Sequence, residues 1–233
     1  MSKNYRIHRI ANDVVDRWSE DKYLGGLLVF LLVTVFVLYP LATLHLTVEV
    51  LLNITLSLIS VTGVFAVTLR KDYRSLAVIV SVLALAIRMA RLYTNSIWIE
   101  SIDHVLSVLI AMILTLVILI RVLGKGQVNS HRIMGSVAVY IIIGLGWASS
   151  YQLVHLLFPT AFMQINQGTY GTGQDFIYYS FATLTTVGYG DIYANHPLAQ
   201  SLSVMEGLVG QLFPVILIAR LVSLHAATKQ MED

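Results

Sequence analysis

The feature that most limits the fold of this chain is its succession of long apolar segments with very little charge. Of its 233 residues, 57% are hydrophobic and 12% are charged, whereas about a quarter of the residues in an average soluble domain are charged. So little charge cannot cover a globule of this size with a polar surface. The composition therefore excludes a soluble enzyme, a disordered chain and a nucleic-acid binder with a broad basic face.

Six segments are long and apolar enough to cross a bilayer as helices, which takes about 20 mostly apolar residues. They are Leu24–Leu44, Leu46–Leu69, Leu76–Tyr93, Ile102–Leu123, Ile133–Phe158 and Pro197–Leu224. The sequence therefore predicts an all-α membrane protein with six transmembrane helices.

Basic residues lie almost entirely on one side of this arrangement, as they do in the cytoplasmic loops of membrane proteins. With a cytoplasmic N-terminus, 13 of the 15 basic residues fall in the segments 1–23, 70–75, 121–132 and 220–233. The outer side carries acidic residues instead, namely Glu100, Asp103, Asp175 and Asp191. The sequence thus predicts that both termini are cytoplasmic, and the short loops and the lack of cysteine favour a bacterial inner membrane.

The two ends of the chain are expected to lie at the cytoplasmic surface. In the segment 1–23, apolar residues recur at helical spacing (Ile7, Ile10, Val14, Val15 and Trp18). This pattern predicts an amphipathic helix on the inner leaflet, with a solvated tail as the alternative. A short tail, 226–233, follows the sixth span, so we expect no fused ligand-binding domain.

The stretch between the fifth and sixth spans, Pro159–His196, contains a short apolar segment after a glycine-rich loop. Asp175 is suited to cap the start of a helix there, because its carboxylate accepts hydrogen bonds from the first-turn N–H groups. The following ten residues suffice for about three helical turns, too few to span a bilayer. We therefore predict a re-entrant helix, which requires that the adjoining loop be buried in protein or line a water-filled path.

The run Thr186-Val187-Gly188-Tyr189-Gly190 follows this helix and resembles the selectivity filter of tetrameric potassium channels. The resemblance extends to Thr183, Thr185 and Asp191, and to the aromatic pair Tyr178–Tyr179, where members of that family often carry tryptophans. It identifies the chain as similar to a six-span subunit of the pore-loop cation channels, with a passive ion path and no enzymatic activity.

The resemblance implies a defined set of ligands for K⁺. They are the backbone carbonyls of Thr186, Val187, Gly188 and Tyr189, together with the Thr186 hydroxyl. Gly188 and Gly190 adopt positive φ without steric cost, the side chains of Val187 and Tyr189 brace the loop, and Asp191 concentrates cations at the outer mouth.

The resemblance also implies the assembly. One chain supplies one loop, so we expect a homotetramer around a central pore. Its other partners are membrane lipids, K⁺ is its permeant ion, and neither a further cofactor nor nucleic acid is expected.

Residues 126–225 form the predicted pore domain, and residues 24–125 form a four-helix domain that resembles a degenerate voltage sensor. The fourth span has no arginine or lysine between Ile102 and Ile120. Because one charge moved through 100 mV supplies about 2.3 kcal/mol, steep voltage gating needs several charges in each subunit. The sequence therefore predicts weak voltage dependence.

The sixth span carries four candidate gating residues: Glu206, Gly207, Gly210 and Pro214. One interpretation is that the glycines and the proline form a hinge in the helix. The alternative for the glycines is that they allow close packing against a neighbouring helix. Glu206 either faces the ion path or braces the filter from behind by hydrogen bonding, and we favour bracing. In that case replacement of Glu206 by glutamine leaves conductance nearly unchanged.

Glu49, Arg88 and Arg91 form a predicted charge cluster within the membrane. Arg88 and Arg91 lie three residues apart near the outer end of the third span, and Glu49 lies at similar depth in the second. A salt-bridged cluster is the first interpretation. The alternatives are that the arginines extend to the outer headgroups or to Glu100, or act as a voltage sensor.

Four other functions compete with a potassium-selective channel. A less selective cation channel has the same architecture, and a silent regulatory subunit joins other channels without conducting. A potassium uptake system resembles four pore repeats in one long chain, and the single loop argues against it. A membrane enzyme is disfavoured because no span shows paired acids or a nucleophile beside a base.

Overall fold

The structure, a computed structural model, describes residues 24–42, 51, 54–55, 82–91, 93–94, 96–123, 130–164 and 173–229. Four helices in this part of the chain are long and apolar enough to cross a membrane: Leu24–Leu41, Ile97–Ile120, Ser130–Leu157 and Pro197–Arg220. They coincide with the first, fourth, fifth and sixth predicted spans. The N-terminal segment, most of the second span and the last four residues lie outside the described residues, so the count of six stays a prediction.

The first helix, α1, covers residues 24–42 and contains a π-helical segment, Thr34–Leu38. Pro40 explains this segment, because proline has no N–H to donate to the carbonyl four residues earlier and its ring collides with that carbonyl. The helical hydrogen-bond pattern shifts by one residue here, so that the N–H of Tyr39 donates to the carbonyl of Thr34, five residues earlier. Such π-segments often occur at functional positions of helices.

Helix α2 (82–91) lies within the third predicted span, and α3 (Ile97–Val122) and α4 (Ser130–Leu157) follow it. Helix α3 begins at Ile97, five residues before the predicted start of the fourth span at Ile102. Glu100 and Asp103, which the sequence predicts on the outer side, both lie within α3, and the carboxylate of Asp103 contacts Arg88 and Arg91 of α2.

Helices α3 and α4 are antiparallel neighbours, as expected for two helices joined by a short connection. A β-carbon added to Gly146 would lie 3.1 Å from Ala111, and one added to Gly135 would lie 3.1 Å from Val122. Helix α1 runs parallel to α4, with Leu24 against Gly135 at one end. This parallel run agrees with the predicted order, in which the first and fifth spans both run outward.

The segment between α4 and the last helix contains a short helix, α5 (Gly173–Leu184), and two short strands, β1 (Phe162–Gln164) and β2 (Ile192–Ala194). The strands pair antiparallel, with Met163 opposite Tyr193. The described residues are mostly helical, as predicted, and this short ladder joins the two ends of the α5 region. The backbone N–H groups of Asn195 and His196 both donate to the carbonyl of Ala161. They join the residues after β2 to the residue before β1.

The last helix, α6 (Pro197–Lys229), is the longest in the described residues and continues through Pro214. Because Pro214 cannot donate a hydrogen bond, the carbonyl of Gly210, four residues earlier, loses its helical partner. Helices α4, α5 and α6 contact one another and enclose the residues described below.

Candidate functional site

Helix α5 lies where the sequence predicts a short re-entrant helix, and its 12 residues are too few to span a bilayer. It begins at Gly173, so Asp175 lies within its first turn and is not the capping residue that precedes the helix. In this position the carboxylate still favours the helix, because its charge opposes the positive end of the helix dipole.

The loop after α5 folds back onto the helix through its own backbone. The N–H of Thr186 donates to the carbonyl of Thr183, and the N–H of Gly188 donates to that of Ala182, each at 3.0 Å. The hydroxyl of Thr185 donates to the carbonyl of Phe181 at 2.6 Å. These bonds fix the start of the predicted filter, Thr186–Gly190, to the C-terminal turn of α5.

Alternate residues of the predicted filter have positive φ: Thr186 at 61°, Gly188 at 53° and Gly190 at 77°. Glycine adopts such angles freely, whereas a β-branched residue does so only under strain. Thr186 is the only non-glycine residue with positive φ in the described part of the chain. Strain of this kind persists where the surroundings enforce it, typically at functional sites. The sequence analysis anticipated the two glycines but not Thr186.

Tyr178 contacts the C-terminal end of the predicted filter. Its ring stacks on that of Tyr189, with centroids 5.8 Å apart and an interplanar angle of 11°. Its hydroxyl donates to Oδ2 of Asp191 at 2.9 Å. Partial burial and this hydrogen bond raise the pKa of Tyr178 to about 12, so its hydroxyl remains a donor at neutral pH. One side chain of α5 thus contacts two residues of the loop.

Tyr179, the other member of the predicted aromatic pair, points away from the loop. Its hydroxyl lies 2.7 Å from the hydroxyl of Ser203 on α6. Its ring makes edge-to-face contacts with Tyr151 on α4 and with Phe162 on β1, at centroid distances of 5.1 and 5.3 Å. The sequence analysis did not find Tyr151 or Phe162, because each comes from a separate element and only the fold brings them together.

Glu206 lies behind α5 and is fully buried. Tyr151 donates its hydroxyl proton to Oε2 of Glu206 at 2.5 Å, and the Ser180 hydroxyl lies 2.6 Å from Oε1. The Ser180 hydroxyl also lies 2.8 Å from the carbonyl oxygen of Gly144 on α4. These contacts join three helices through one carboxyl group and favour the bracing interpretation over a position facing the ion path.

The glycines of α6 differ in their surroundings. A β-carbon added to Gly210 would collide with the backbone of Leu184, the last residue of α5, whereas one added to Gly207 would meet nothing within 4 Å among the described residues. Tyr140 on α4 donates its hydroxyl proton to the same Leu184 carbonyl at 2.9 Å. Close packing therefore explains Gly210, and Pro214 keeps its candidate role in a hinge.

Arg88 and Arg91 converge on Asp103, a partner that the sequence analysis did not assign to them. Nη1 of Arg91 donates to Oδ2 of Asp103 at 3.2 Å. Nε of Arg88 lies 3.4 Å from Oδ1, a charge contact, and its Nη2 donates to the hydroxyl of Ser107 at 3.1 Å. Glu49, the third member of the predicted cluster, lies outside the described residues. The contacts with Asp103 show that at least part of the cluster is ion-paired on α3.

Comparison with known proteins agrees with this arrangement. A family model described as "Ion channel" matches residues 150–226, which include the end of α4, all of α5, the predicted filter and most of α6. No curated protein matches the chain significantly. The long apolar helices indicate an integral membrane protein. Together with the loop geometry, the family match supports an ion channel of the pore-loop type.

Proposed function

We propose that this chain is a subunit of a potassium-selective channel in which four copies surround one pore. The observation that carries the proposal is the alternation of positive φ at Thr186, Gly188 and Gly190. In an extended strand successive carbonyls point to opposite sides, whereas an alternation in the sign of φ turns successive peptide planes toward one side. Carbonyls turned in this way replace the hydration shell of a K⁺ ion.

The side chains of the predicted filter support an assembly of several copies. Val187 and Tyr189 are 53% and 70% exposed in the single chain. Together with Phe36 of α1 and Phe181 of α5, they line an apolar groove of about 520 Å³. A neighbouring copy that filled this groove would hold the loop from its second side. A closed ring of carbonyls requires such neighbours, because each chain contributes one loop.

The test is potassium flux into liposomes that contain only this protein, with Ba²⁺ as a blocker. We expect Ba²⁺-sensitive flux from the wild type and none from Gly188→Ala, because φ of +53° is strained for alanine. Gly26→Ala is the matched control, since Gly26 lies in α1, has no positive φ and has nothing within 4 Å of an added β-carbon. Absence of flux from the wild type would contradict the proposal.

Two measurements separate the proposal from its alternatives. Reversal potentials in opposed K⁺ and Na⁺ gradients distinguish a potassium-selective channel from a less selective cation channel. Flux from the purified protein by itself distinguishes either channel from a silent subunit, which conducts only with a partner.

A further inference from the structure

Glu206 is a buried acid without a basic partner among the described residues. Its side chain is fully buried in the middle of α6, and none of the ion pairs in this part of the chain includes it. An isolated carboxylate in an apolar interior loses its hydration without compensation, and such groups usually take up a proton instead.

Among the described residues, the titratable groups that face Glu206 are all tyrosines. Tyr151 and Tyr140 approach it from α4, and Tyr179 approaches it from α5. Phenol groups are neutral near pH 7. None of them supplies the positive charge that an ionised Glu206 requires.

The hydrogen-bond geometry allows the protons to be counted. The hydroxyl oxygen of Ser180 lies 2.8 Å from the carbonyl oxygen of Gly144 and 2.6 Å from Oε1 of Glu206. A hydroxyl has one proton to donate, and a carbonyl oxygen only accepts. If Ser180 donates to Gly144, the short contact with Glu206 is a hydrogen bond only when Glu206 supplies the proton. Tyr151 supplies the proton of the contact at Oε2.

We propose that Glu206 is a neutral carboxylic acid whose proton is donated to Ser180, and that ion conduction depends on this proton. The inference rests on the proposed function, because it concerns the control of the same ion path. The proton completes a chain of hydrogen bonds from Glu206 through Ser180 to Gly144, and so ties α6 to α5 and α4.

Loss of this proton to water would rearrange the chain of hydrogen bonds. Ser180 would turn its hydroxyl proton toward the carboxylate and release the carbonyl of Gly144. The buried charge would also draw in water or move toward the ion path. The predicted filter begins six residues after Ser180, directly beyond the end of helix α5. A displacement of α5 would therefore change the geometry of the filter. Conduction should therefore fall as the pH rises past the point where Glu206 ionises.

The first measurement is infrared difference spectroscopy of the wild type against Glu206→Gln near neutral pH. We expect the carbonyl stretch of a protonated carboxylic acid in the wild type, its absence in the variant, and its disappearance from the wild type at alkaline pH. Absence of this band at neutral pH would overturn the proposal. The measurement does not depend on ion flux.

The second measurement is the pH profile of potassium flux. We expect flux from the wild type to fall at alkaline pH and flux from Glu206→Gln to stay constant, because the glutamine amide donates to Ser180 and its oxygen accepts from Tyr151 at any pH. Identical alkaline profiles for the two proteins would overturn the dependence of conduction on the proton. If no protein conducts, the proposed function fails, and the infrared band still decides the state of Glu206.

Two further variants test the mechanism without removing Glu206. Tyr151→Phe keeps the ring in its aromatic contacts and removes the hydroxyl that donates to Glu206. This hydrogen bond stabilises the ionised form of Glu206 more than the neutral form. We expect the alkaline fall to move to higher pH, by roughly one unit. Ser150→Ala is the matched control, because Ser150 precedes Tyr151 on α4 and its hydroxyl donates to the backbone carbonyl of Gly146. An unshifted profile for Tyr151→Phe would contradict the mechanism.

Discussion

A β-carbon added to Gly210 on α6 would lie 1.9 Å from the carbonyl oxygen of Leu184 on α5. Gly210→Ala should therefore force the two helices apart at Leu184, two residues before the predicted filter. Overpacking of this kind costs about 1–3 kcal/mol. We expect a lower midpoint in thermal unfolding of the detergent-solubilised protein and a loss of potassium flux.

Gly207→Ala is the control for this prediction, because it makes the same chemical change one turn earlier at a position with open space. We expect stability within about 1 kcal/mol of the wild type, since alanine is the better helix former. Equal destabilisation by the two variants would show that the contact with Leu184 does not decide the role of Gly210.

Tyr178→Phe should weaken the outer end of the predicted filter while keeping the stacking on Tyr189. The variant removes the hydrogen bond to Asp191, and because the pair is partly exposed we expect a cost of about 1 kcal/mol. This corresponds to a roughly fivefold shift toward a loosened loop. Reversal potentials in K⁺ and Na⁺ gradients should show a higher relative permeability to Na⁺. Tyr193→Phe, which removes the hydroxyl of an exposed tyrosine on β2, should leave the reversal potential unchanged.

Asp103→Asn should destabilise the packing of α2 against α3. Asp103 is 5% exposed and Arg88 is 7% exposed, and removal of one partner from a buried ion pair costs about 3–5 kcal/mol because the other charge stays buried. Thermal unfolding measures the loss. Glu100→Gln makes the same change on the same helix at a side chain that is 40% exposed and 4.0 Å from His104. A similar loss in both variants would mean that the contacts of Asp103 with Arg88 and Arg91 are unimportant.

The conductance–voltage relation should be shallow. Helix α3 carries no arginine or lysine between Ile97 and Ile120, and the two arginines of α2 contact Asp103. About 2.3 kcal/mol per charge and 100 mV supplies a steep response only when several charges move. Recordings from the purified protein in planar bilayers measure the slope, and a steep relation would contradict the prediction.

The sequence is most informative where a pattern is local. Apolar length predicts α1, α3, α4 and α6, and the short apolar segment before Thr186 predicts the re-entrant helix α5, because each feature depends on neighbours along the chain. Pro40 is a local signal too, since its missing N–H accounts for the π-helical segment before it. The strand pairing of Met163 with Tyr193 has no such signal, because its partners lie 30 residues apart.

The roles of the polar residues in the membrane depend on the fold instead. From the sequence alone Gly210 has two interpretations and Arg88 has three, because a pattern along one helix does not say which neighbour it faces. The tertiary structure places Leu184 against Gly210, Asp103 against Arg88, and Tyr151 and Ser180 against Glu206. The sequence by itself determined that this is an integral membrane protein, and it predicted the helices α4, α5 and α6 and the position of the proposed filter. The tertiary structure decided which buried groups meet, because the free energy of a buried polar group depends on partners that are distant in the chain.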